Sequence, residues 1–185
     1  MQVHRFEVLG PLELVPKRHA DDRGHFVETF SVASAEHAGV VEREWVQDNQ
    51  SLSISIYTLR GLHFQIAPFA QAKIVRVLRG SIYDVAVDLR AGSSTFGKWL
   101  GVTLDATKMN QLYIPKGFAH GFLTLENNVE VAYKVSERYS KGHDRCLNWA
   151  DAEVGIAWPM PKGTMPQLSE KDRAAPKLRE LMVEL

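Results

Sequence analysis

Residues 73–90 read KIVRVLRGSIYDVAVDLR, and this stretch decides the fold class. In its first half Lys73, Val75 and Val77 fall on one side of an extended chain, with Ile74, Arg76 and Leu78 on the other. That is the two-residue period of a strand. The second half places Tyr83, Val85, Val87 and Leu89 together. Between them Gly80-Ser81 is a tight-turn signal of the kind that joins hairpin strands. Outward from here the pattern continues at 99–104, 111–114 and 129–135. Many short strands with frequent turns predict a mainly β chain, an antiparallel sandwich or barrel. Helices are expected only at the periphery. One covers 31–37, with Gly39 near its end, and another starts at Pro176, where Leu178, Leu181, Met182 and Leu185 repeat at helical spacing. That stripe reads as a packing face.

The chain has 185 residues, the length of a single domain. The expectation is one domain over 1–185 with a C-terminal helical extension at about 169–185. Lys plus Arg total 22 and Asp plus Glu total 22. This balance argues against a bulk nucleic-acid binder, yet leaves room for a local cationic cluster that holds a small anion. The single cysteine, Cys146, has no internal disulfide partner, which is compatible with a reducing compartment. The start, MQVHRFEVLGPLEL, lacks the basic segment and long apolar run of a signal peptide. No run of about 18 apolar residues is present to span a membrane. A cytoplasmic protein with no membrane partner is expected.

Polar residues concentrate in three places: RGLHFQ (60–65) with Gln71 and Lys73 after it, IPKGFAHGF (114–122), and Tyr133 with Lys134. Tyr133 shares a strand face with Val129, Val131 and Val135, so its phenol projects among aliphatic side chains and needs a partner or a task. These residue types suit chemistry beside a ketone. Removing the weakly acidic proton there takes a base near neutral pKa, usually histidine. Charge then develops on the ketone oxygen, where a fixed cation such as Lys73 stabilises it. Inversion needs a proton from the opposite face, which a tyrosine hydroxyl supplies. His63, Lys73 and Tyr133 fit these roles, and His63 would also need an orienting carboxylate. Taken singly, each has an ordinary reading: a structural histidine, a solvated lysine at a strand start, a core tyrosine with a bonded hydroxyl.

Their combination is more specific. DDRGHFVETF (21–30), QDNQSLS (47–53), LRGLHFQ (59–65), QAKIVRVLRGSIYDVAVDLR (71–90), STFGKW (94–99), QLYIPKGFAHGF (111–122), EVAYKVSERY (130–139) and PQLSEKD (166–172) occur in this order. From about Phe6 to Leu178 the chain resembles the dTDP-4-dehydrorhamnose 3,5-epimerase family. The resemblance implies a cupin-type antiparallel jelly roll, usually a homodimer whose subunits exchange edge elements. It implies epimerisation of dTDP-4-keto-6-deoxyglucose at C3 and C5, without a cofactor. It makes His63 the base, Asp172 its carboxylate partner, Tyr133 the opposing acid and Lys73 the residue near the enolate oxygen. Arg60 and His120 become substrate-binding positions. Arg23, Phe26, Glu28, Gln47 and Asn49 fall in motifs that contact nucleotide, pyrophosphate or sugar, and an arginine suits a diphosphate through paired hydrogen bonds. Tyr139 resembles a pocket-lining aromatic, and Lys171 and Asp144 occupy further binding positions, Asp144 where a glutamate is common. Bland readings stand beside these. Asp172 lies three residues after a candidate helix cap at Ser169, Arg23 and Glu28 read as a surface ion pair, and Phe26 as core. Gln47 and Asn49 read as turn or cap residues, Arg60 and His120 as structural ones, and Tyr139 as a packing aromatic. One departure from the family is Tyr57, where glycine is common, which implies a changed turn near the pocket rim.

Metal dependence is not expected. Metal-binding cupins use a His-x-His pair, a following Glu and a later His, ligands suited to divalent metals. Here the pair is His63-Phe64-Gln65, and only the later Pro115-to-His120 spacing survives. Two other functions stay open on this scaffold: a dTDP-sugar monoepimerase or 3,4-ketoisomerase, and, in a different class, a non-catalytic sugar-nucleotide-binding cupin. The latter has no use for a His63–Asp172 pair opposite Tyr133.

Overall fold

Short strands alternate with turns along nearly the whole chain, seen in a computed structural model that describes residues 1–181. The elements are β1 (Gln2–Arg5), β2 (Leu12–Val15), β3 (Arg18–Asp21), β4 (Gly24–Val27), α1 (Val32–Ala38), β5 (Gln47–Ser53), β6 (Leu59–Gln65), β7 (Lys73–Arg79), β8 (Ser81–Asp88), β9 (Trp99–Asp105), β10 (Gln111–Ile114), β11 (Phe118–Thr124), β12 (Val129–Val135), β13 (Asp144–Cys146), α2 (Glu170–Arg173) and α3 (Leu178–Leu181). A six-stranded sheet runs β1-β2-β10-β7-β12-β5, and a five-stranded sheet runs β13-β6-β11-β8-β9. All pairs within them are antiparallel. The two sheets face each other as a cupin-type jelly roll, while β3 and β4 form a separate hairpin.

Period-two alternation sorts the apolar residues into three layers. Val75, Val77, Leu112, Ile114, Val129 and Val131 of the larger sheet meet Ile82, Ala86, Leu100, Leu104, Phe118 and Phe122 of the smaller one. This is the core between the sheets, where each fully buried Val or Leu contributes about 1.5–3 kcal/mol. The outer face of the smaller sheet carries Leu62, Phe64, Val85, Val87 and Ala119 and is covered by Leu147, Val154, Leu178 and Leu181 from the C-terminal part. At one end of the larger sheet, α1 lays Ala35 and Ala38 against Leu12, Leu14, Ile74 and Tyr113. β8 is therefore apolar on both faces, which is why its sequence reads as a nearly continuous hydrophobic run.

The helix expected over 31–37 is α1. Ser31 caps its start by accepting from Ser34 N at 3.2 Å, and Gly39 ends it at φ +101°. In the C-terminal part the described residues form two short helices. Ser169 caps α2, and α3 begins two residues after Pro176. Met182 and Leu185 lie outside the described residues. Among the described residues no helix is long and apolar enough to cross a membrane.

The turn at Gly80-Ser81 differs from expectation. β7 and β8 belong to different sheets, so the glycine is a corner and not a hairpin turn. Arg79 still pairs with Glu130 of β12, whereas Ser81 already pairs with Asp105 of β9. At φ +79°, with Val129 Cγ2 only 3.0 Å from where a Cβ would stand, the position admits little besides glycine. Tyr57 also takes a left-handed conformation, φ +59°. The turn therefore keeps a geometry that glycine adopts freely, at a cost of about 1–2 kcal/mol for a tyrosine.

Candidate active site

The site lies between the sheets, and a bulge in β6 sets its geometry. In β11, His120 and Phe122 are two residues apart and share the inner face. Their partners in β6 are His63 and Arg60, three residues apart. The extra residue lets Arg60 and His63 point the same way, which regular alternation forbids. Two glycines make it possible. A Cβ on Gly61 would stand 2.5 Å from Gly121 Cα, and one on Gly121 would stand 2.7 Å from Arg60 O.

Two adjoining hollows of about 190 and 260 Å³ share His63, Lys73 and Tyr133. Gln47, Asn49, Tyr139 and Asp144 line the first, and Arg60, His120 and Asp172 the second. His63 comes from the smaller sheet, and Lys73 and Tyr133 from the larger one, so base and phenol face each other across the cavity.

His63 Nε2 lies 2.5 Å from Asp172 Oδ1. Asp172 is buried at the start of α2, where its backbone N donates to Ser169 Oγ and its other oxygen accepts from the same hydroxyl at 2.8 Å. Both readings of Asp172 thus hold together: it follows a helix cap and it binds the histidine. Burial pushes its pKa up, but the bonds from His63, Ser169 and Cys146 outweigh this and hold it below the usual carboxylate value. With Nε2 engaged, Nδ1 is the ring nitrogen left for a substrate.

Lys73 is buried, not solvated. Its ammonium donates to His63 O at 3.3 Å. Burial lowers its pKa to about 8, against the opposing pull of the Asp144 and Asp84 carboxylates. Burial also raises the Tyr133 pKa, so the phenol stays protonated at neutral pH.

His120 is buried with Nε2 2.7 Å from Asp84 Oδ1. Burial is the main cause lowering its pKa, so the ring is neutral near pH 7. Arg60 donates to Ser53 Oγ at 3.1 Å and to Leu52 O at 3.0 Å, which fixes the guanidinium at the cavity wall. Gln47 donates to Asn49 Oδ1 at 2.7 Å on β5. Asp144 accepts from Lys171 at 2.5 Å and from Tyr139 at 3.0 Å.

The remaining candidates do not reach this cavity within one chain. Arg23 sits at the tip of the β3–β4 hairpin and pairs with Asp21 at 2.6 Å, not with Glu28. Phe26 is 73% exposed and not core. Glu28 accepts from Ser31 and Ser34. Phe26 and Glu28 line a different hollow, with Lys17 and His19.

Two residues at the site, Asp84 and Ser51, were not singled out in the sequence. Asp84 holds His120, and its Oδ2 is buried with no hydrogen-bond partner among the described residues. The signal was a carboxylate inside an apolar strand, but β8 is apolar on both faces and its inner side was not evident. Ser51 Oγ is likewise buried and unpartnered beside Arg60 and Tyr133. Cys146 lies opposite His63 in the β13–β6 register, with Sγ 3.6 Å from Asp172 Oδ1. Burial and the Asp172 charge push its thiol up to about 12. Gln65, where metal cupins have a second histidine, spends its amide on Phe69 O, Arg138 O and Ser140 N.

A jelly roll of this kind around such an acid–base cluster belongs to a carbohydrate epimerase, an enzyme of the isomerase class. The sequence profile of dTDP-4-dehydrorhamnose 3,5-epimerase matches residues 5–180, and the chain belongs to that family. It is 49% identical over 168 residues to the dTDP-4-dehydrorhamnose 3,5-epimerase of Sinorhizobium fredii, covering 91% of this chain and 85% of the relative. The crystal structure of the Bacillus anthracis dTDP-4-dehydrorhamnose 3,5-epimerase with TDP and pyrophosphate bound superposes with a TM-score of 0.91 at 46% identity, over 96% of this chain and 99% of that one. The Legionella pneumophila 3,5-epimerase in complex with dTDP-4-keto-L-rhamnose gives 0.91 at 39% identity, over 99% and 95%.

Proposed function

We propose that this protein is a dTDP-4-dehydrorhamnose 3,5-epimerase that converts dTDP-4-dehydro-6-deoxy-D-glucose to dTDP-4-dehydro-L-rhamnose. The observation that carries this reading is a carboxylate-held histidine on one sheet, opposed by a half-buried phenol on the other, with a buried lysine lining the same cavity. His63 Nδ1 takes the proton from the carbon next to the C4 ketone. The C–H electron pair moves into the C–C bond, and charge collects on O4. Lys73, aided by Arg60, neutralises that charge. Tyr133 then gives its phenolic proton to the carbon from the opposite face, which inverts it. His63 and Tyr133 recover their starting protonation by exchange with water, and the cycle repeats at the second carbon. The ketone itself acidifies both positions, so the residues present suffice.

Asp84 acts through His120, whose neutral ring suits a sugar hydroxyl. Gln47, Asn49, Tyr139, Asp144 and Lys171 bound the part of the cavity that receives the rest of the dTDP-sugar. The active form is a homodimer in which Arg23, Phe26 and Glu28 of one protomer complete the partner's site. This reading is supported by a hairpin that, among the described residues, pairs with no other strand, and by the exposure of Arg23 and Phe26. Light scattering of the purified protein should give twice the chain mass, and a monomer active at the same concentration would exclude it.

The reaction is tested by incubating the protein with dTDP-4-dehydro-6-deoxyglucose in deuterated water and following C3 and C5 by proton NMR. Deuterium is expected at both carbons. Label at one carbon only would select a monoepimerase, and none in folded, dTDP-binding protein would exclude the enzyme reading. Tyr133→Phe should retain exchange by His63 from one face yet form little inverted product. Unchanged product stereochemistry and yield would remove Tyr133 from the acid role.

A further inference from the structure

The geometry points to a second use of the His63–Asp172 dyad: with Cys146 it forms a site for a soft divalent metal ion, Zn²⁺ above all, and metal bound there switches the base off. His63 Nε2, Cys146 Sγ and a carboxylate oxygen of Asp172 all lie within 4.8 Å of one another. Imidazole, thiolate and carboxylate together are a donor set for zinc, with a fourth position left for water. The three come from separate elements, β6, β13 and the start of α2, so the scaffold presents them together. Sγ and Asp172 Oδ1 are 3.6 Å apart. Two ligands at about 2.3 and 2.0 Å from one tetrahedral zinc stand at nearly that separation. The His63–Asp172 distance of 2.5 Å must open by about 1 Å to admit the ion. The histidine is the member able to yield: its side chain is 34% exposed, whereas Asp172 is 3% exposed and tied to Ser169.

The consequence for the base follows from where its proton goes. As the Zn–S bond forms, the thiol proton leaves to solvent. As the Zn–N bond forms at Nε2, the proton on that nitrogen must move to Nδ1, because a neutral imidazole carries one N–H. Nδ1 then becomes a donor and has no lone pair for carbon acid chemistry. Substrate still finds Arg60, Lys73 and Tyr133, so kcat falls and KM changes little. This inhibition rests on the epimerase reading; the metal site itself does not.

Cobalt(II) separates the two. Metal-free, tag-free protein titrated with Co²⁺ should develop a near-ultraviolet thiolate-to-cobalt absorption that saturates at one ion per chain. Zn²⁺ should displace the cobalt and lower kcat, and EDTA should restore both. Cys146→Ala should lose the absorption and weaken Zn²⁺ binding by about tenfold or more, and its activity with Zn²⁺ should stay close to its own activity without it. His63→Ala should weaken the metal while keeping a thiolate band, and thermal melts confirm that both variants fold. A saturated cobalt complex with no thiolate band, or equal Zn²⁺ sensitivity in wild type and Cys146→Ala, would overturn the site. A thiolate band without inhibition would keep the site and remove its effect on the base.

Discussion

His63→Ala should lower deuterium incorporation at C3 and C5 by about 10³-fold or more, within the range that a positioned base supplies. The substitution removes a cavity-facing ring whose Nε2 is held by the Asp172 carboxylate and whose Nδ1 is left for substrate. Asp172 keeps its bonds from Ser169 and Cys146, so the start of α2 should hold. Binding of dTDP should survive, because the cationic and aromatic groups around the cavity are untouched. Added imidazole should recover part of the rate by entering the space left behind. Near-wild-type exchange in a variant that binds dTDP normally would take the base role away from His63.

Lys73→Met should do two opposite things. Catalysis should fall by about 10²–10³-fold, the usual loss when a group facing developing negative charge is removed. Stability should rise. A buried ammonium whose pKa drops from 10.5 to about 8 is charged at neutral pH only against the preference of its surroundings. That preference amounts to roughly 3 kcal/mol. The sign follows from proton counts. Between about pH 8 and 10.5 the unfolded chain holds the lysine proton and the folded chain has lost it. Wild-type stability therefore gains as pH rises through this window, and the full penalty is present below it. Methionine carries no such penalty, so the variant should melt about 6–12 °C higher at pH 7, with the advantage shrinking towards pH 10.5. The wild-type rate should also decline above about pH 8, as Lys73 loses its charge. A melting point equal to or below wild type at pH 7 would mean that the ammonium is well solvated in the free enzyme.

Strands with clean alternation were readable from residues alone: 73–79, 111–114 and 129–135 carry the two-residue period that matches β7, β10 and β12. β6 and β11 were legible only as polar clusters. Their glycines and histidines interrupt the alternation because the bulge and the cavity need them there. Gly80 signalled a turn between β7 and β8 correctly but not that the two strands part into different sheets, since a glycine with positive φ serves a hairpin and a sheet-to-sheet corner equally well. At the site, His63, Lys73, Tyr133 and Asp172 are far apart in sequence, and each alone has an ordinary structural reading. Their association was legible through the order of motifs, and the fold brings them to one cavity. Asp84 and Ser51 escaped notice because what marks them is an unpartnered buried oxygen, a property of packing that no local pattern carries. Arg23, Phe26 and Glu28 were legible as motif members, but a single chain gives them no cavity to face.

The extra residue in β6 also acts like a reading frame. Upstream of it, inward positions fall on one parity of residue number; downstream, they fall on the other, as Arg60 and His63 show. A single deletion between them would leave every side chain chemically intact, yet turn either Arg60 or His63 out of the cavity. A change in length cannot be compensated by repacking, and a Cβ at Gly61 would stand 2.5 Å from Gly121 Cα, so variants and distant relatives should keep both this glycine and the spacing of Arg60 and His63.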